Sequence, residues 1–307
     1  MQTHFQESIE AALEQHLPQR RRAGAELLDG AIRYAVFPGG KRIRPVLCLL
    51  GARVFAPDFE PALAAACASE FIHTSSLLFD DLPCMDDAHT RRGRPVVHAV
   101  FGEDVALLAG LALLNQSYSI FGRTPALIAE AAACIGVDGM IGGQALDLAQ
   151  TRLEEKSQPQ IDDHLMERNR KTSALMRLAL ISGALACGVP PCDVEVLGQT
   201  GQSLGEAYQI GDDLLDAKRS SHETGKNAGQ DRRHNRPCHG ELVEGVCLGQ
   251  LDGLIADARA KLTRTYGATR IVELMTFVDA MFAKLTAVRP GSIQRGPGEP
   301  HLPSGRP

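Results

Sequence analysis

The segment LLFDDLPCMDDAHTRRGRP, Leu77 to Pro95, places four aspartates (Asp80, Asp81, Asp86, Asp87) within eight residues and follows them with Arg91, Arg92 and Arg94. A second acidic cluster, IGDDLLD, runs from Ile210 to Asp216. Asp212 and Asp216 are four apart on a predicted helix and so share a face. Asp80 and Asp86 are separated by Pro83, which argues against a regular helix and for a bend that aims both carboxylates at one point. Both clusters continue apolar helices, where unpaired carboxylates repel each other and take up protons. A cation resolves that conflict. Hard oxygen donors with no histidine or cysteine arranged beside them favour Mg2+, which keeps waters and shares its ligands with a phosphate substrate. Two solvated acidic helix ends are the plainer reading of either cluster alone. Two clusters on long apolar helices, each with basic residues downstream, favour a site.

Those basic residues form the other half of the pattern. In GGKRIRP, Gly39 and Gly40 permit close backbone approach and Pro45 suits the first turn of a helix. Lys41 and Arg44 therefore sit where an irregular segment opens into a helix N-terminus, a natural anion site. Arg91 and Arg92 follow the first acidic cluster, and Gly225–Lys226 follows the second. Together they describe two anionic groups, one bridged to carboxylates by metal and one held directly by Lys and Arg. No Walker-type loop is present.

The elements that must carry these residues read as helices throughout. In FQESIEAALEQHL the apolar positions Phe5, Ile9, Ala12 and Leu13 recur at spacings of three and four. Helical stretches fit 22–36, 45–55, 60–79, 102–121, 126–149, 160–187, 191–218, 240–265 and 269–286, and no stretch alternates with period two. The expectation is an all-α fold, a single large bundle over residues 1–288, followed by a Gly/Pro-rich tail at 289–307 with too little apolar surface to order itself.

Composition sets limits. The 307 residues are 44% hydrophobic, with 32 basic against 37 acidic side chains for a net charge of −5, so no nucleic-acid-binding surface is expected. The eight cysteines are scattered without a Cys-x-x-Cys pair and read as small buried hydrophobes of a reducing compartment, with no zinc site. The N-terminus lacks a signal-peptide core. The longest apolar run, Val105 to Leu114, is too short to span a bilayer, which gives a cytoplasmic expectation with no membrane span.

GGKRIRP, DDLPCMDD with RRGRP, RKTSAL, YQIGDDLLD and GKNAGQD occur in the order found in trans short-chain prenyl diphosphate synthases, and the likeness runs from Phe37 to Asp231. The first acidic segment most resembles bacterial geranylgeranyl diphosphate synthases of carotenoid type. The resemblance implies an isoprenoid synthase bundle around a deep central cavity, usually a homodimer. Two aspartate motifs would face each other across the mouth and hold three Mg2+, for which Mn2+ can substitute, on the diphosphate of an allylic substrate. Carried over by motif, Asp80 and Asp86 would ligate two of the metals and Asp212 the third, with Asp81 and Asp216 in support and Asp213 among the substrate-binding residues. Arg91, Lys171 and Lys226 would contact the allylic diphosphate (dimethylallyl, geranyl or farnesyl). Lys41, Arg44, His73 and Arg92 would hold isopentenyl diphosphate. Outside the resemblance, His73 reads as a hydrogen-bonded core histidine. Thr172 and Gln209 would point oxygens at developing positive charge, and Gln144 and Asp147 would line the cavity; helical Thr and Gln are otherwise commonly structural.

The implied reaction is head-to-tail condensation, in which diphosphate departs, the alkene of isopentenyl diphosphate attacks the allylic cation, and a proton is lost. The alkene is the nucleophile, which fits the absence of a candidate nucleophilic side chain. Ser76 and Ser75, four and five residues before Asp80, stand where farnesyl-producing relatives often carry an aromatic floor. They leave room for about one more helical turn, roughly 5.4 Å. The floor then falls to Ile72 and Phe71, with Leu113 or Tyr118 opposite, and the twenty-carbon product is preferred over the fifteen-carbon one. The sequence departs from the family at Arg236, Cys238 and Val96. A class I terpene cyclase is disfavoured by the aspartate-rich second motif and the intact GGKRIRP. A non-catalytic partner subunit is disfavoured by the survival of both motifs.

Overall fold

The computed structural model describes residues 2–19, 26–150, 158–218 and 244–286, with side chains over 5–19, 26–148, 170–214 and 245–283. Lys226, Arg236, Cys238 and the tail lie outside the described residues, as does the side chain of Asp216.

Twelve α-helices and one 3-10 turn, Glu60–Ala62, make up most of the described chain: α1 Gln2–His16, α2 Glu26–Val36, α3 Ile43–Arg53, α4 Leu63–Asp80, α5 Val97–Phe101, α6 Glu103–Phe121, α7 Pro125–Ile135, α8 Met140–Gln150, α9 Gln158–Ala186, α10 Pro191–Lys218, α11 Glu244–Tyr266 and α12 Ala268–Thr286. The all-α expectation holds, with three local differences. The stretch 126–149 is two helices, because the turn-forming residues of Gly136-Val-Asp-Gly139 break it. Val97–Phe101 is a separate short helix ended at Gly102, whose φ is 93°. Thr90–Arg91 and Arg94–Pro95 pair as a minimal antiparallel ribbon, β1 and β2, too short for period-two alternation to show.

One apolar core runs from Phe5 on α1 to Phe282 on α12, and the four α1 positions picked out by spacing are all buried. Its centre is α4 and α9. A Cβ on Gly51 of α3 would lie 1.9 Å from the Leu180 carbonyl of α9, and one on Gly183 would lie 1.9 Å from the Cys48 carbonyl, so these helices meet backbone to backbone. Helices α4 and α6 run antiparallel: Gly110 lies against Phe79, and the Ser117 hydroxyl lies 3.0 Å from the Ala68 carbonyl. Cys48, Cys67, Cys134 and Cys247 are buried as expected, and burial pushes the Cys48 thiol up to about 12. Cys84 and Cys192 are exposed instead, since Cys84 lies in the turn after α4 and Cys192 in the first turn of α10.

By length and hydropathy, Glu60–Asp80, Glu103–Phe121 and Pro125–Leu148 could each cross a membrane, which corrects the expectation drawn from the longest unbroken apolar run. Most of the first segment is instead buried within the bundle.

The loop entering α3 is fixed by a buried cation. Arg42, 3% exposed, donates to Glu10 on α1 at 2.7 and 3.1 Å, to Glu70 on α4 at 2.7 Å and to the Val36 carbonyl at 2.9 Å. Burial works against its charge, but the two carboxylates outweigh burial and raise its pKa. Removing one partner of such a network strands the other charge, so Arg42→Ala is expected to lower stability by about 3–5 kcal/mol in urea denaturation. A loss below about 1 kcal/mol would mean that Glu70 is readily neutralised or hydrated.

Candidate functional site

The α4 helix ends at Asp80, and the chain then turns back on itself. The Asp86 amide donates to the Asp80 carbonyl at 2.9 Å and the Ala88 amide to the Asp81 carbonyl at 3.2 Å. Asp87, with φ 46°, completes the reversal. The bend expected at Pro83 thus returns Asp86 to Asp80. Burial raises the Asp80 pKa; Lys171 opposes this, and the nearby Asp86 carboxylate adds to it.

Two cations close on this end of α4. The Lys171 ammonium donates to Asp80 at 2.8 Å, and Arg91 grips the buried Asp81 through contacts of 2.6 to 2.9 Å. Burial alone would lower the Arg91 pKa, but Asp81 outweighs it and the net shift is upward. Next to Lys171 on α9, Thr172 donates to the Gln209 carbonyl oxygen at 3.0 Å, and the Gln209 amide donates to the buried Asp213 at 2.8 Å. Consecutive residues of α9 therefore touch the first acidic motif and the helix that carries the second.

Two glycines allow this closeness. A Cβ on Gly143 of α8 would lie 2.5 Å from the Lys171 backbone nitrogen, and one on Gly205 of α10 would lie 2.4 Å from Ser173 Cα. Gln144, following Gly143, keeps both amide atoms buried without a hydrogen bond, and Asp147 one turn on is buried, as cavity-lining residues would be.

On the basic side, Arg44 Nε is buried without a partner, and burial lowers the Arg44 pKa against the pull of Tyr208 and Glu70. The Arg92 pKa is also lowered, first by desolvation and further by Arg42 and Arg91, with Glu70 and Asp81 opposing. Lys41 is exposed at the rim. His73 is half-buried and lies seven residues before Asp80, on the same side of α4. Among the described groups, Lys171 and Arg91 thus meet the first acidic motif, and Thr172 and Gln209 reach the helix of the second. Their hard carboxylate oxygens, with Asp80 destabilised as an anion by burial and by Asp86, suit Mg2+. Among the described residues no three acidic, histidine or cysteine side chains converge into a metal cage. An ion completed by water and phosphate oxygens needs none.

Sequence reasoning passed over Arg42, Glu70 and Arg94. The signal for the first pair was Glu70 itself, a lone carboxylate in the apolar stretch AAACASEFIHTSSLLF that requires a cation once buried. The left-handed conformations of Arg42, Asp87 and Arg92 left no such signal; they are the non-glycine residues with positive φ among those described, and each lies in this region.

At Arg92 the strain can be measured. It opens a two-residue turn in which asparagine or glycine fits better. Arg92→Asn is expected to raise stability by about 0.5–1 kcal/mol and to weaken pyrophosphate binding about tenfold, or ~1.4 kcal/mol. Urea denaturation and calorimetric titration read the two effects. A stability loss with unchanged binding would assign Arg92 to packing alone.

Comparison with known proteins agrees with this arrangement. The family profile described as Polyprenyl synthetase matches residues 25–239. Geranylgeranyl pyrophosphate synthase 3 of Arabidopsis thaliana is 39% identical over 236 residues, covering 73% of this chain and 64% of the plant protein, so the chain spans a little under two thirds of that relative. A geranylgeranyl diphosphate synthase of Cyanophora paradoxa is 38% identical over 285 residues, covering 89% of this chain and 92% of its own. Among solved structures, an FPP/GFPP synthase of Zymomonas mobilis superposes with a TM-score of 0.75 at 29% identity, covering 92% of this chain and 100% of that one. A Helicobacter pylori geranyltransferase, solved with magnesium and isoprenyl diphosphate, gives 0.75 at 26% identity over 93% and 96%. The chain belongs to the polyprenyl synthetase family.

Proposed function

We propose that the protein is a Mg2+-dependent prenyltransferase that condenses isopentenyl diphosphate head-to-tail with an allylic diphosphate, giving geranylgeranyl diphosphate. The observation that carries this reading is the α9 pair Lys171–Thr172, which joins the carboxylates of the first motif to the helix of the second. Relatives of 36–41% identity bearing the geranylgeranyl synthase name support the product assignment.

Asp80, Asp86 and Asp212 would hold Mg2+, which would supply Lewis-acid stabilisation of the departing diphosphate. Lys171 and Arg91, now paired with Asp80 and Asp81, would add cationic contacts on the same group. Arg44, Arg92 and Lys41 hold the second diphosphate, and the buried unpartnered Arg44 Nε is a donor ready for it. Thr172 and Gln209 direct oxygen dipoles at the positive charge that develops as the carbon–oxygen bond breaks. The apolar walls exclude water from the allylic cation. After the alkene adds, the departed diphosphate accepts the proton.

Chain length follows from α4. Ser76 lies four residues before Asp80 and so shares its face, and its hydroxyl donates to its own helix at the His73 carbonyl, 2.9 Å away. Phe71, Ile72 and Leu113 are fully buried, which supports reading them as the floor. With dimethylallyl, geranyl or farnesyl diphosphate as primer, the purified chain is expected to yield a dominant twenty-carbon alcohol after dephosphorylation. Ser76→Phe should move the dominant product to fifteen carbons. A parent that elongates no primer would overturn the assignment in favour of a non-catalytic subunit, and an unchanged product in Ser76→Phe would place the floor elsewhere.

A homodimer completes the reading. Leu107, Leu108 and Leu111 of α6 are exposed side by side, an apolar stripe suited to a second copy. Sedimentation velocity at micromolar concentration should give a dimer, and a monomer would remove this assignment.

A further inference from the structure

Arg91 and Arg92 sit on a ribbon that cannot hold itself. Thr90 pairs with Pro95 and Arg91 with Arg94 across it, and beyond them the Val96 amide donates to the His89 carbonyl at 3.2 Å. The connecting residues, Arg92 and Gly93, have φ of 56° and 73°, the mirror-image turn that suits a two-residue hairpin but disfavours a Cβ. An isolated hairpin is at best marginal in water, and this one is both minimal and strained.

Arg94 and Tyr34 supply what the ribbon lacks. The Arg94 guanidinium stacks 3.9 Å from the centre of the Tyr34 ring on α2 and donates to the Phe37 carbonyl at 3.0 Å. The Tyr34 hydroxyl donates in return to the Pro95 carbonyl at 2.9 Å, and Phe101 braces its ring edge-on at 5.5 Å. Each element thus holds the other's backbone. The clamp ties the ribbon to the start of the 37–41 loop that carries Lys41. Between ribbon, α2 and α4 lies a pocket of about 100 Å3 lined in part by Tyr34, Phe37, Thr74 and Arg94. A ribbon released from the clamp has that space to move into.

The two arginines depend on the clamp unequally. Arg91 is anchored on Asp81 whatever the turn does. Arg92 has no such ion pair among the described residues; its guanidinium lies against Gly40, where a Cβ would come within 2.9 Å. Its position is therefore set by the ribbon.

We propose that Tyr34 and Arg94 are positioning residues for one substrate, holding Arg92 in register with Lys41 and Arg44 around the isopentenyl diphosphate while leaving the allylic side to Arg91. This rests on the assignment of those three cations to isopentenyl diphosphate under the proposed function. The partner chemistry is a diphosphate monoester bound by side chains without metal.

The test is calorimetric titration of the full chain with isopentenyl diphosphate in EDTA, and separately with farnesyl diphosphate in excess Mg2+. Arg94→Ala is expected to raise the first Kd about tenfold and leave the second within about twofold. Tyr34→Phe keeps the stack, loses one hydrogen bond, and should raise the first Kd by about threefold. Arg94→Lys should not restore binding, because an ammonium does not stack as a plane on the Tyr34 ring while reaching the carbonyl. Equal loss of both ligands, unchanged isopentenyl diphosphate affinity, or full rescue by lysine would each overturn the clamp, as would a parent that does not bind isopentenyl diphosphate. If Arg94→Ala does not fold, the Kd ratio in Tyr34→Phe decides. A parent that binds isopentenyl diphosphate and shows this response, yet elongates no primer, would leave the clamp standing and remove the proposed function.

Discussion

The arrangement depends first on Arg42 being buried and charged. A guanidinium out of water needs its donors satisfied, and here the partners come from three directions: Glu10 on α1, Glu70 on α4 and the carbonyl that ends α2. That requirement fixes the 37–42 loop more tightly than apolar packing can, because a hydrogen-bonded charge tolerates little displacement. Arg42 accepts a left-handed backbone to meet it, and Gly39 must lack a side chain, since a Cβ there would lie 2.1 Å from the guanidinium. Lys41 and Arg44 flank this fixed point. The loop that presents cations to the site is anchored by the cation that never reaches it.

On the acidic side the same logic runs with signs exchanged. Asp80 and Asp81 are buried at the end of a largely enclosed helix, and each takes a separate cation, Lys171 from α9 and Arg91 from the ribbon. Asp213 on α10 is satisfied by Gln209, which in turn accepts from Thr172. Because Lys171 and Thr172 are consecutive on one helix, the two motifs are held at a separation set by α9 and by the glycine contacts on either side of it. Acidic clusters that would repel each other in isolation are thereby fixed without being neutralised together.

The helical order, the bend after Asp80 and the gathering of basic residues near GGKRIRP were legible because each has a local cause: apolar spacing, a proline within an acidic run, glycines before a helix. The division of labour among neighbouring cations was not. Lys41, Arg42 and Arg44 look alike in sequence, and only the lone carboxylate Glu70 in an apolar helix hinted that one of them is structural. The split between α7 and α8 was signalled by Gly136 and Gly139 but hidden by strong apolar periodicity on both sides. The ribbon has two residues per strand and left no pattern to find, so the sequence assigned Arg94 no role. Its role follows from a tyrosine sixty residues earlier in the chain, and no local rule reaches that far.

Stability is unevenly spent across the molecule. Away from the site, the long helices meet through glycine contacts, and Thr200 carries the unpartnered buried hydroxyl there among the described residues. Near it stand Arg92 and Asp87 in left-handed conformations, two arginines with depressed pKa values, and unpartnered buried atoms on Arg44, Thr74 and Gln144. Each orphaned polar group costs about 1–3 kcal/mol, and each left-handed residue about as much. A sequence selected for stability alone would replace them. Their concentration in a region already crowded with charge is what the proposed diphosphate site would require: donors desolvated in advance and kept from collapsing onto one another. The Arg42 network and the α3–α9 contact keep that unfavourable arrangement in place.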